Sequence, residues 1–404
     1  MLNEIAAAID RQDYRTAAQL LHEIEQDRPQ DAWVVFYRGR LQEVAGQLEA
    51  AEQTFRQVLK LTTQVKLTNL SRQSIQRVQK IEQEQRQRAL LQATQDPAGS
   101  EPGCLILKPM ESEAKTAAAP RLARLLKLDP YTARLHLPSR GWRFYRSGPI
   151  GELQYYVQAM ADIGVPAFCV PLAQIATIPL FRVTQLEANA QEAQVSCRDR
   201  GEQAGTLTFA WSEVKLWVEG SLPLFESVVD KGYWGLSTVR KEKTQDYAQV
   251  IDLHLPDRGC IVRFCDRTYH FPDVTSPPVP PPPPPGLRSL AGSGDRSKQG
   301  QSPPQGASSL AQAGAARGPS SPRSSVSLPS THHQKWQRVL QQLQGPLQET
   351  ETWKGFTAFA ETVLDQDIFL EQIQPHLDLF RQADSPWDNA FQLYSSLAFI
   401  ERFQ

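Results

Sequence analysis

The sequence predicts a multidomain α+β protein. It reads as helical hairpins (1–95), a ferredoxin-like split βαβ module (102–180), a small antiparallel β barrel or sandwich (181–272), a disordered Pro/Ser/Gly-rich linker (273–331) and a helical bundle (332–404). Three observations predict it. One pattern occurs twice between Gln12 and Thr63 at an offset of 34 residues. After Cys104 the apolar residues change from helical spacing to short alternating runs. Pro277–Pro285 holds eight prolines in nine residues, followed by a stretch almost without large apolar side chains.

In the repeat, Tyr14, Ala17, Leu21, Ile24 and Pro29 are echoed by Leu48, Ala51, Phe55, Val58 and Thr63. Self-similarity at this period marks stacked helix–turn–helix units, here four helices. Ala17 and Ala51 let paired helices approach, while Leu21 and Phe55 fill the space between them. Counted from Ala32, residues Gly39, Gly46, Leu48, Ala51, Phe55 and Leu59 give residues 1–63 a pattern that resembles the tetratricopeptide repeat family. Val35, Arg38 and Gln42 depart from it, standing where Trp, Leu and Tyr are usual. The resemblance implies a module that binds a protein or peptide through the inner face of the first helix of each repeat. Here that places Trp33, Phe36, Arg40 and Glu43 towards a partner, or leaves Trp33 and Phe36 to replace the missing Trp in packing. Two units are short of the three or so that stack stably, so Lys66–Ala93, with Leu67, Leu70, Ser74, Val78 and Ile81 on one side, is expected to cap them with its basic faces solvated.

The next stretch reads strand (Cys104–Lys108), helix (Ala114–Leu128), strand (Thr132–Leu137), strand (Arg140–Arg146), helix (Ile150–Ile163) and strand (Pro166–Val170), the order of a split βαβ unit. Lys115–Arg146 carries eight basic residues and one acid, with aromatics interleaved. Arginines beside exposed aromatics are how single-stranded RNA is held, which makes Arg140, Arg143, Tyr145 and Arg146 candidate polyanion contacts. Against this, Trp142 and Phe144 share strand parity and are expected to face the helices, leaving only Arg143 and Tyr145 outward. Protein recognition is therefore the favoured class and nucleic acid the rival.

Residues 181–271 alternate over Phe181–Leu186, Ala193–Cys197, Thr206–Trp211, Val214–Val218, Tyr247–Leu255 and Cys260–Cys265, with one long connection, Leu222–Gln245. Gly232-Tyr233-Trp234-Gly235 lies in that connection as a lid or contact loop. His254, Cys260, Cys265 and His270 are the nearest approach to a zinc set, but their spacing fits no common site. Strand parity also puts Cys260 and Cys265 on opposite faces. Gly-rich phosphate loops, HExxH and GxSxG are absent from the chain, and carboxylate pairs such as Asp365/Asp367 have no partner to separate their titrations. A non-enzymatic protein without metal or cofactor is expected.

The proline run reads as a stiff polyproline II spacer. Beyond it, Trp336–Leu343, Trp353–Val363, Ile368–Leu379 and a helix capped by Ser385, opened by Pro386 and carrying Trp387, Phe391, Tyr394 and Ala398 inward make a bundle. Lys335–Gln404 has a net charge of −5 and Lys115–Arg146 of +7. An intramolecular contact of 332–404 with 115–146 is one expectation, and an acidic face that only keeps the bundle soluble is the other. The whole chain, with 43 basic and 44 acidic side chains, has no global field to steer it. Ile163–Phe181 is uncharged over 19 residues but contains Pro166, Pro171 and Pro179, which favours buried strands and turns over a membrane span. The N-terminus lacks a basic leader, and five scattered cysteines are a poor disulfide framework, so a cytoplasmic location is expected.

Overall fold

A computed structural model describes residues 1–231, 238–271, 331–377, 379 and 385–404. Gly232–Gly235 and the proline-rich linker, which carry two of the expectations above, lie outside the described residues.

The N-terminal part consists of α1 (Leu2–Asp10), α2 (Tyr14–Asp27), α3 (Ala32–Val44), α4 (Leu48–Leu61) and the long α5 (Val65–Gln95). Asp13 and Asp31 start α2 and α3 by accepting from the backbone N–H groups of Thr16 (3.1 Å) and Trp33 (2.8 Å), satisfying donors that have no partner within the helix. Ala17, Ala51 and Phe55 are fully buried, so the expected packing between paired helices is observed. Leu67 and Val78 of α5 join the Ala51–Phe55 core, as a cap on the second hairpin should. The far end of α5 leaves the repeats and docks on a later helix, α8. Gly151 of that helix stands where any side chain would run into the Ala93 carbonyl oxygen of α5. The same junction is pinned by Arg124, which meets Glu52 (2.8 Å) of α4 and Glu82 (2.5 Å) of α5.

The next unit runs β1 (Pro102–Leu107), α6 (Ser112–Leu126), α7 (Pro130–His136), β2 (Arg143–Pro149), α8 (Ile150–Asp162), β3 (Ala167–Pro171) and α9 (Leu172–Thr177). Its sheet has three strands in the order β2-β1-β3, both pairs antiparallel. The ferredoxin-like order, with a strand over Thr132–Leu137, is therefore corrected. Asp129 accepts from the backbone N–H groups of Tyr131 and Thr132 (3.0 Å each) and Pro130 occupies the first turn. Those start signals outweigh the alternation that followed them.

A seven-stranded sheet follows, from β4 (Leu180–Ala188), β5 (Glu192–Arg198), β6 (Ala204–Ala210), β7 (Leu216–Lys231), β8 (Thr238–Leu255), β9 (Cys260–Cys265) and β10 (Glu351–Trp353). The order is β10-β7-β8-β9-β4-β5-β6, an open sheet rather than the expected barrel or sandwich. The described residues of the predicted connection Leu222–Gln245 instead continue β7 and β8, which pair from Leu216↔His254 to Lys231↔Thr238 with one register shift between Leu224 and Phe225.

The C-terminal segment is not a free-standing bundle. Helix α10 (His332–Gln344) places Trp336, Val339 and Leu343 on one face of the large sheet, against Leu253, Val262 and Phe264. The chain then lays β10 parallel to β7, covering that edge of the sheet, and turns onto the other face as α11 (Phe356–Ala360), α12 (Asp367–Leu370) and α13 (Pro386–Phe403). Trp353 is thus in a strand, and the helix expected over Ile368–Leu379 shrinks to one turn. Ser385 caps α13 and Pro386 opens it as predicted, but every residue from Ala390 to Ile400 is buried, not one stripe. A helix buried on all sides must lie between layers. Tyr394 meets the ring of Trp142, just before β2, while the adjacent Ser395 hydrogen-bonds His254 of β8 at 3.0 Å, so α13 is shared by both sheets.

That core also contains charge. Arg263 of β9 forks onto both oxygens of Asp252 of β8 (2.7 Å each) and donates to Gln392 of α13 (2.9 Å). A buried charge is tolerable only when paired and hydrogen-bonded in this way. Cys260 packs in the core under α10 and Cys265 in the core under α13, as strand parity requires.

Candidate functional site

Alternate helices of the N-terminal domain form a groove. Leu2, Asn3, Ala6 and Ile9 of α1 make one wall and Lys66, Leu70, Gln73 and Arg77 of α5 the other. Trp33, Phe36, Tyr37 and Arg40 of α3 lie between, around an open cavity of about 660 Å³. Helical spacing causes this: 33, 36, 37 and 40 recur every three or four residues and so share a face, as do 66, 70, 73 and 77.

The four residues expected to face a partner divide. Trp33 is part-exposed, edge-to-face with Phe36 (6.0 Å) and tilted over Tyr37 (5.9 Å), and the Lys66 ammonium sits 5.9 Å from its ring centre. Phe36 is buried, with its ring 5.6 Å from that of Phe55, so it packs α3 against α4 and offers the groove little surface. Arg40 lines the groove and is held by Glu43 at 2.9 Å. Glu43 is outside the lining. Its carboxylate, with a side chain 7% exposed, is occupied by Arg40 and by Arg77 (2.5 and 2.9 Å), and the bond to Glu43 raises the Arg77 pKa. Glu43 therefore fixes two guanidiniums rather than presenting itself. Tyr37 was missed; burial, and then Asp10, push its hydroxyl above the usual phenol range. Lys66 and Arg77, on the expected solvated basic face of the capping helix, instead line the groove with Leu70.

Two of the departures from the repeat pattern have polar solutions, while Val35 stays in the apolar core. Arg38, where Leu is usual, bridges Glu25 of α2 (2.7 Å) and Gln57 of α4 (3.3 Å). Gln42, where Tyr is usual, accepts from Thr54 of α4 at 2.7 Å.

The basic candidates of the second unit are engaged within the protein. Trp142 and Phe144 do share a face, but that face meets α13 and its neighbours rather than the helices of the split βαβ unit, and Tyr145 is not outward: it packs with that helix layer, edge-to-face with His136 at 5.6 Å. Arg143 donates to the Leu135 carbonyl (3.4 Å), and Arg146 pairs with Glu152 (3.1 Å) over the ring of Tyr156. Arg140 alone of the four is exposed. Residues 332–404 do meet 115–146, but through ring contacts, Trp142 on Trp353 and Phe144 on Phe369, and a hydrogen bond from the Phe144 N–H to the Thr362 hydroxyl at 3.0 Å. Among the described residues of the C-terminal segment, Glu401 pairs with Lys108 and Glu351 with Arg402.

Among the described residues no cluster of three or more His, Cys, Asp or Glu is placed to hold a metal, and no helix is long and apolar enough to cross a membrane. No curated protein and no solved structure matches the chain. Residues 8–66, the segment that supplies half of the groove lining, including all of its α3 residues, match the tetratricopeptide repeat family.

Proposed function

We propose that the chain is a non-enzymatic interaction or scaffold protein whose groove between α1, α3 and α5 holds a segment of a protein partner. The observation that carries this reading is the convergence of Trp33, Tyr37 and Arg40 with Lys66 in one open groove of a repeat-family segment. Large flat rings give contact area at low entropic cost, and Trp, Tyr and Arg dominate binding hot spots. The bracket Arg40–Glu43–Arg77 holds the donors in place before a partner arrives, which lowers the cost of binding.

The test is selection of binding peptides from a displayed random library on the full chain, followed by affinity measurement on variants. Trp33→Ala and Arg40→Ala are each expected to weaken the selected peptides by about 1–2 kcal/mol, roughly ten- to thirtyfold, with helicity unchanged. Peptides whose affinity ignores both substitutions would place recognition elsewhere.

A further inference from the structure

A second, more enclosed cleft shares no residue with the groove. It lies between α9, the turn joining β5 to β6 and the segment 372–376, and its volume is about 260 Å³. That is just below the roughly 300–1,000 Å³ of ordinary ligand pockets, so only a small molecule fits.

Its polar lining is unusual in charge. Arg200 enters from the β5–β6 turn, where its Nη1 and Nη2 donate to the carbonyl oxygens of Ala176 and Ile178, the latter at 2.5 Å. Its Nε is buried and has no hydrogen-bond partner, and no carboxylate pairs with it among the described residues. Arg263 and Arg182 nearby are neutralised by Asp252 and Glu202; Arg200 is not. His376 completes the polar side, with a backbone φ of +48°, a left-handed conformation that residues bearing a β-carbon rarely adopt and that concentrates at functional sites. Arg263 secures this segment by donating to the Pro375 carbonyl at 2.6 Å. Burial, and then the guanidiniums of Arg200, Arg263 and Arg182, push the His376 titration down to about 4. Gln372, Gln374 and Gln392 add amide groups, and Ile175 is among the apolar residues that line the rest.

We propose that this cleft binds a small oxyanion, a phosphate or carboxylate group, with the unneutralised Arg200 guanidinium and the His376 ring as its principal donors. A guanidinium with fixed orientation is suited to planar or tetrahedral oxygen arrays, and a low-dielectric wall strengthens the attraction. The occupant would bridge the large sheet to the segment that leads into α13.

Calorimetric titration of the full chain with inorganic phosphate and, separately, with succinate, at ionic strength matched with chloride, tests this. Saturable binding of one equivalent is expected for at least one probe, and the probe that binds identifies the anion class. Arg200→Gln is expected to weaken it at least about tenfold. Absence of binding by both probes, or equal binding by Arg200→Gln, overturns the proposal. A second measurement needs no variant. An anion beside His376 favours its charged form, so the His376 ring resonance should titrate at a higher pH with the bound probe. An unchanged His376 titration at saturation would equally overturn it.

Discussion

The rings of Trp142 and Trp353 meet edge to face with centroids 4.7 Å apart, although one precedes β2 and the other lies in β10, beyond the proline-rich stretch. Phe168 and Tyr394 complete the cluster around Trp142. The two sheets and the C-terminal segment therefore share one apolar core, and α13 is its centre.

Trp142→Ala is expected to cost about 3–5 kcal/mol, the usual loss for a large buried aromatic. Because the core is shared, the large sheet should lose stability together with the small one. Urea unfolding followed by hydrogen exchange on β1 and on β8 checks this. Protection lost at β1 alone would show that the sheets fold independently.

His254 makes stability depend on pH. It is fully buried, and burial, helped by Arg263 and opposed by Asp252, lowers its titration from 6.5 to about 4. The unfolded chain therefore binds a proton between these values that the folded chain does not, so stability is full above the unfolded value and falls as the pH drops towards the folded one. Between pH 7 and pH 5 the loss from His254 alone is about 2 kcal/mol. His376, also lowered, acts in the same direction. Urea midpoints of the wild type and of His254→Gln at the two pH values measure the effect, and the variant should show a clearly shallower dependence. Equal slopes would mean that His254 is protonated in the fold.

Gly39 bears on the repeat packing. A β-carbon there would stand 2.7 Å from the ring of Phe55, closer than packing allows. Gly39→Ala should cost about 1–3 kcal/mol by overpacking, and adding Phe55→Leu should recover part of it. A melting temperature unchanged by Gly39→Ala would contradict the close approach of α3 and α4.

What the sequence disclosed follows from how local each signal is. The four repeat helices, their small-residue contacts and the face carrying Trp33 and Arg40 were legible because period and spacing are properties of the chain itself. The α7 helix was hidden by the alternation of Thr132–Leu137, which a local cap at Asp129 overrode. The destination of α13 was not legible at all. A Ser-Pro start and an apolar stripe describe any amphipathic helix, whereas burial on every side depends on two sheets whose strands are far away in sequence. The anion cleft was equally silent: Arg200 and His376 are unremarkable in the sequence and become a pair only when the turn, α9 and the segment 372–376 converge.

The groove itself is tested most directly by filling it. Ala6 of α1 lines the cavity opposite α5, whereas Ala7, the next residue, is exposed and outside it. Ala6→Trp and Ala7→Trp add the same bulk, and the measurement is the affinity of a selected peptide for each variant of the full chain. The account predicts that Ala6→Trp weakens binding by at least about tenfold, roughly 1.4 kcal/mol, while Ala7→Trp binds as the wild type does. Equal affinities of the two variants, both folded, would contradict the placement of the partner between α1, α3 and α5.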